Sequence, residues 1–276
     1  MLVCVTCRFY NSAMSESHKT VLSEGLSELQ VKQFRRDGYL IVRDLADESL
    51  RRRMIDVVES SMEPALGPLE YETDLSYPGA PQDLLSPGGT TPRRLLNAYA
   101  RDAVFREWAG NPDLVAALKQ LIGTERLMLT QNHHNCIMTK MPTYSTRTGW
   151  HQDIRYWSFD RPELVNVWLA LGDEYAEKGG MKFIPGSHKL ELDRGRFDAE
   201  LFLRDDLPEN RELLDQAVDA RLNAGDVLFF HCRTFHVAGA NQTKEPKYSL
   251  VFSYHDADNR PIPGTRSARL DSVLMG

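Results

Sequence analysis

The chain has 276 residues, a formal net charge of −6 and a pI near 5.8. A hydrophobic content of 42% with 26% charged residues fits a globular protein with a substantial core. The acidic balance, without a long Lys/Arg block, argues against a nucleic-acid partner. The longest apolar runs, such as Val227-Leu228-Phe229-Phe230, are too short to span a bilayer, so no membrane association is expected.

Residues 1–20 read as a disordered leader without the basic start of a signal peptide, and Met14 is an alternative start. Cys4 and Cys7 form a lone C-x-x-C with no second pair downstream, which argues against zinc. With Cys136 and Cys232 they make four scattered cysteines, a usage that fits a reducing compartment, and the cytoplasm is expected. Oligomeric state has no signature in the sequence.

Residues 21–276 read as one domain, with helical support over about 21–124 and a β-barrel core over about 125–256. The spacing of Leu26, Leu29, Val31 and Phe34 predicts a helix over 26–37 that Gly38 stops, followed by a strand at Tyr39–Val42. A second helix follows Asp47, with Leu50, Met54, Val57 and Val58 inward. Residues 62–93 are rich in Pro and Gly and read as a long functional loop. Helices are predicted over 94–109 and 112–122, the latter marked by Asn111 as cap, Pro112 in its first turn and Gly123 as its stop. Beyond these, short apolar or alternating runs at 125–131, 135–141, 150–157, 165–171, 181–185, 226–231, 235–240 and 247–254 suggest an antiparallel double sheet of the jelly-roll type.

Three features carry chemistry. In Gly149-Trp150-His151-Gln152-Asp153, strand alternation puts His151 and Asp153 on one face, where both can grip one ion. Alone this is close to chance, since 8 His and 21 Asp supply roughly 0.6 such triplets. The second feature is Gly225-Asp226 before Val227–His231, a turn into a buried strand, followed by Phe235-His236. A histidine there completes a 2-His-1-carboxylate set, which leaves octahedral positions open and suits Fe(II) with a bidentate 2-oxo acid and O₂. His231 is the rival for this place. The third feature is Lys247, on a strand whose alternation groups it with Ser249, Val251 and Ser253. An inward Lys247 and Ser249 can together bind a carboxylate.

These segments resemble the phytanoyl-CoA dioxygenase family of Fe(II)/2-oxoglutarate oxygenases. The likeness is strongest over 135–255 and includes His151-Gln152-Asp153, Gly179-Gly180 through Pro185-Gly186-Ser187-His188-Lys189, the Gly225-Asp226 strand, and His236 with Asn241. Phe34–Val42 is also typical of the family. The resemblance implies a double-stranded β-helix (cupin-like) fold. It also implies decarboxylation of 2-oxoglutarate to succinate and CO₂, coupled to oxidation of a small-molecule substrate. His151, Asp153 and His236 would hold the metal. Where the family usually has arginine, eleven residues after the distal histidine, this chain has Lys247, which keeps the charge but loses the bidentate fork. Trp168 is the nearest match to a tryptophan that recurs near the co-substrate, and Lys140 precedes the first metal strand as a further contact to co-substrate or substrate. In halogenating relatives a small residue replaces the metal-binding Asp, so Asp153 favours hydroxylation or a related oxidation.

Plainer roles compete at other positions. His188 reads as a turn residue and His255 as a strand-end residue. Of the adjacent His133 and His134, only one can face inward if both lie in a strand. Arg93, Arg94 and Asn97 read first as a solvated helix face and second as contacts to an anionic substrate. Tyr71, Tyr77, Asn132, Tyr156 and Trp157 are pocket-wall residues on position alone. Two other functions stay open: a metal-dependent cupin-like hydrolase or isomerase, in which Lys247 would be idle, and a non-catalytic ligand-binding barrel.

Overall fold

The computed structural model describes residues 25–75, 77 and 79–276. The expected leader at 1–20, the alternative start at Met14 and the Cys4/Cys7 pair lie outside the described residues. Helix α1 (Glu28–Asp37) starts at Ser27, whose hydroxyl accepts from Gln30 N while the Gln30 side chain accepts from Ser27 N. It stops at Gly38, which takes φ 80° and donates its N–H to Phe34 O at 2.8 Å. A side chain is excluded there, because a Cβ would lie 2.3 Å from His188 Nδ1. Strand β1 (Tyr39–Val42) and helix α2 (Glu48–Ser60) follow, the helix capped by Asp47, which accepts from Leu50 N at 2.9 Å.

The Pro/Gly-rich stretch is more ordered than its composition suggests. It contains β2 (Leu69–Tyr71), and β3 (Pro92–Leu96) begins at its end. The helix expected over 94–109 is therefore corrected. Its first residues belong to β3, and the remainder is split into α3 (Ala98–Arg101) and α4 (Ala103–Ala109). Alternation explains the strand: Arg93 and Leu95 are buried on one face, while Arg94 and Leu96 turn to the other. Asp102 breaks the helical run and caps α4 by accepting from Val104 N. Helix α5 (Pro112–Ile122) has the expected ends, with Asn111 Oδ1 accepting from Asp113 N and Leu114 N and Gly123 left-handed.

The remaining elements are β4 (Leu127–Leu129), β5 (Asn135–Lys140), β6 (Thr148–His151), β7 (Val165–Ala170), β8 (Met181–Phe183), α6 (Pro208–Leu214), β9 (Val218–Ala220), β10 (Val227–His231), β11 (His236–Ala238), β12 (Lys247–Asp256) and β13 (Val273–Met275). Strands β9 and β13 were not anticipated, and β13 extends the sheet beyond residue 256 by pairing with β4. Among the described residues all strand pairings are antiparallel. The larger sheet runs β1-β10-β7-β12-β5-β3-β2, with β4 joined to β12 and β13 to β4; the smaller runs β6-β11-β8-β9.

Burial follows the alternation of β12. Leu250, Phe252 and Tyr254 pack with Phe105, Trp108, Leu114 and Leu118 from the helices. Val251, on the opposite face, packs with Trp168, Met181 and Phe183 between the two sheets. The helices thus cover one face of the larger sheet, and the smaller sheet faces the other. No helix among the described residues is long and apolar enough to cross a membrane.

Candidate active site

Strands β6 and β11 pair so that His151 and His236 stand directly opposite, with ring centroids 4.2 Å apart. The expected strand over 150–157 is corrected here: β6 ends at His151, and Asp153–Tyr156 form a single 3₁₀ turn. Gln152 remains extended (φ −109°, ψ 139°), so the alternation carries one residue beyond the strand and Asp153 still faces the histidines.

Hydrogen bonds to the backbone set the direction of both rings. His151 Nδ1 lies 2.8 Å from Gly149 O, and His236 Nδ1 lies 3.0 Å from Thr234 O. As donors to those carbonyls, both Nδ1 atoms carry the proton and leave Nε2 free as a ligand. The two Nε2 atoms lie 3.4 and 3.6 Å from Asp153 Oδ1. Asp153 Oδ2 accepts from Asn166 Nδ2 at 2.7 Å, and Asn166 Oδ1 accepts from Ser253 Oγ. His151, Asp153 and His236 each offer one ligand atom, all within 4.8 Å of one another.

The electrostatics suit a metal. Burial, with His151 beside it, pushes the His236 imidazole down to about 3, so it is neutral at ordinary pH. Burial alone would raise the Asp153 carboxyl, but His134, His236 and His151 around it hold it below the usual carboxylate range. Two imidazole nitrogens and one carboxylate form the donor set that suits non-haem iron.

The rival distal ligand, His231, is elsewhere. It faces a second cavity with Phe34, Arg35 and His188, its ring 5.4 Å from that of His188. His188 sits in the 3₁₀ turn Ser187–Lys189, as expected for a turn residue. His255 is buried, with Nε2 2.8 Å from Ser272 Oγ.

A cavity of about 360 Å³ opens onto the triad. Tyr77, Asn132, Tyr156 and Trp157 line it, whereas Tyr71 does not. His133 and His134 both line it; the limit to one inward ring held only if both lay in a strand. They precede β5 in an irregular bend, where strand alternation does not apply. His133 stacks on Trp157 at 4.7 Å and meets Ser267 Oγ at 2.7 Å. His134 brings a third Nε2 to within 3.5 Å of Asp153 Oδ1. Arg94 and Asn97 line the cavity from β3 and the turn after it rather than from a solvated helix. Arg93 instead turns into a buried cluster with Glu72, Thr146 and Thr148.

The expected co-substrate residues are placed differently from the triad. Trp168 lines the cavity. Lys247 and Ser249 lie behind it, buried, and are not among the residues that line it. Lys247 Nζ donates to Glu174 Oε2 at 2.9 Å, and Ser249 Oγ donates to Glu174 Oε1 at 2.6 Å. The expected free cation is thus already paired. Lys140, the register partner of Lys247, donates to Thr146 O at 2.9 Å, away from the cavity, and burial pushes its ammonium down to about 7. Asn166, Ser253 and Glu174 were not assigned from the sequence. Asn166 had a visible signal, as a lone amide within the otherwise apolar run Val165–Ala170.

The profile of the phytanoyl-CoA dioxygenase family matches residues 34–249. Among curated proteins, an ectoine dioxygenase of Bordetella bronchiseptica is 22% identical over 258 residues, covering 87% of this chain and 79% of its own. Among solved structures, the epimerase SnoN in complex with Fe³⁺, α-ketoglutarate and nogalamycin RO is 26% identical. It superposes with a TM-score of 0.67, covering 90% of this chain and 93% of its own. EctD from S. alaskensis with 2-oxoglutarate and 5-hydroxyectoine gives a TM-score of 0.74 at 18% identity, covering 94% and 89%. The chain belongs to the phytanoyl-CoA dioxygenase family. With its His-Asp-His cluster it is an Fe(II)- and 2-oxoglutarate-dependent dioxygenase.

Proposed function

We propose that His151, Asp153 and His236 hold the iron and that the chain oxidises a small or medium-sized metabolite in the cavity in front of them. The convergence of one ligand atom from each residue within 4.8 Å carries this reading. When bound, iron supplies the oxygen-activating centre, and 2-oxoglutarate supplies two electrons as it is decarboxylated to succinate and CO₂. The chain's own residues position and shield that chemistry. The backbone bonds of His151 and His236 keep both Nε2 atoms aimed at one point, and Asn166 keeps Asp153 Oδ1 turned towards them. Asp153 would supply a carboxylate ligand where the halogenating relatives carry a small residue, which supports hydroxylation or a related oxidation.

The substrate reading rests on the cavity. A volume of about 360 Å³ lies at the small end of ligand sites, roughly 300–1,000 Å³. Tyr77, Tyr156 and Trp157 offer flat apolar surface, Arg266 offers positive charge, and Arg94 lies paired with Glu70 on the cavity wall. These favour a compact metabolite with an anionic or hydrogen-bonding group. We read the architecture as a double-stranded β-helix of the jelly-roll type, formed by the two antiparallel sheets around the cavity, in one domain over 21–276. Its N-terminal helices back the larger sheet, although β2 and β3, beyond the expected strand β1, make that half less purely helical than expected. The buried, unpaired thiols of Cys136 and Cys232 support a cytoplasmic setting.

The test is turnover. With Fe(II), 2-oxoglutarate and O₂, screening a metabolite library for succinate should reveal a substrate that raises succinate release above the uncoupled background. His236→Ala should reduce that release to background. Succinate formation that survives His236→Ala contradicts the ligand assignment.

A further inference from the structure

Behind Trp168, where the cavity wall ends, the chain supplies a carboxylate of its own. Glu174 follows β7, and its backbone is fixed by a two-way bridge to Leu222, with N–H···O distances of 2.8 and 3.0 Å. Its side chain is fully buried and accepts from three different donors. Ser249 Oγ donates at 2.6 Å, Lys247 Nζ at 2.9 Å, and Trp168 Nε1 to both oxygens at 3.1 and 3.2 Å. The Lys247 ammonium also lies 5.0 Å from the Trp168 ring centroid. A hydroxyl, an indole N–H and an ammonium converging on two oxygens form a complete carboxylate site.

We propose that Lys247, Ser249 and Trp168 form a carboxylate subsite occupied from within by Glu174, and that Glu174 sets co-substrate selectivity by competing with the distal carboxylate of the 2-oxo acid. This rests on the reading of the chain as a 2-oxo-acid-dependent oxygenase. One buried ammonium cannot fully neutralise two carboxylates at close range. A dicarboxylate that reaches Lys247 must displace Glu174, which then stays buried without its partner or takes up a proton. The advantage of a distal carboxylate over a methyl group is therefore largely cancelled. 2-Oxopentanoate, which differs from 2-oxoglutarate only by lacking that carboxylate, is the matched probe.

The experiment is anaerobic calorimetric titration of the Fe(II)-loaded protein with the two acids, for the wild type, Glu174→Ala and Glu174→Gln. In the wild type the two dissociation constants should agree within about threefold. Both variants should bind 2-oxoglutarate at least tenfold more tightly than the wild type and 2-oxopentanoate with unchanged affinity. The glutamine variant keeps the shape of the site should the alanine variant fail to fold. A wild-type preference for 2-oxoglutarate above thirtyfold overturns the proposal, as does unchanged or weakened 2-oxoglutarate binding in the variants. A metal-free arm separates this inference from the reading beneath it. Acetate should raise the melting temperature of metal-free Glu174→Ala by refilling the site and leave the wild type unmoved. If neither oxo acid binds the loaded protein, the oxygenase reading fails, and acetate stabilisation still supports the self-occupied subsite. The absence of that stabilisation overturns it.

Discussion

Asp153 is held from two sides by different chemistry. One oxygen faces three imidazole Nε2 atoms at 3.4 to 3.6 Å, and the other accepts from Asn166, which Ser253 holds in turn. Supports of this kind typically account for 10–100-fold in metal affinity. Asn166→Ala should weaken Fe(II) binding by that amount while sparing the overall fold; an unchanged affinity would show that Asp153 orients itself. That His151, Asp153 and His236 can meet was legible in the sequence because candidate metal ligands come from few residue types and strand offsets restrict where they can meet. The inward face of Lys247 was legible for the same reason. Its pairing with Glu174 was not, because a bridge to Leu222, distant in sequence, fixes Glu174. Local pattern carries no trace of such a contact.

At the scale of elements, helices with chemical end signals were the most readable. Asn111, Pro112 and Gly123 bound α5, and Gly38 ends α1. The segment after Pro92 was misread because Arg, Leu and Ala favour helices in isolation. Pairing with β5 and β2 overrides that preference and sets Glu70 opposite Arg94 on the cavity side. The turn Gly225-Asp226 was read only as a strand start, but it is also a latch. The Asp226 carboxylate accepts from Asn223 N at 2.7 Å and Asp44 N at 3.0 Å, tying the ends of β1 and β10 together. Gly225 has φ +94°, and a Cβ there would lie 2.8 Å from Ala46 O. Left-handed geometry alone costs a side chain roughly 1–2 kcal/mol. Gly225→Ala should therefore lower unfolding stability by about 2 kcal/mol or more, read from the urea midpoint; an unshifted midpoint would contradict the latch.

For the whole molecule, buried neutral imidazoles tie stability to pH. Burial, with Arg266 nearby, pushes His133 down to about 3; burial, with His188 nearby, pushes His231 to about 4; His236 is at about 3. In the unfolded chain such groups titrate near ~6.5. Between those values the unfolded state binds more protons, so stability is complete above roughly pH 7 and falls as the pH drops towards about 4. The metal-free protein should show a clearly lower urea midpoint at pH 5.5 than at pH 7.5, and equal midpoints would contradict neutral burial. The central claim, that His151, Asp153 and His236 form one iron site open to a 2-oxo acid, has a direct optical test. Anaerobic titration with Fe(II) and then 2-oxoglutarate should produce a weak visible charge-transfer band in the wild type and none in His236→Ala. No band at saturating concentrations, or the same band in the variant, would contradict the account.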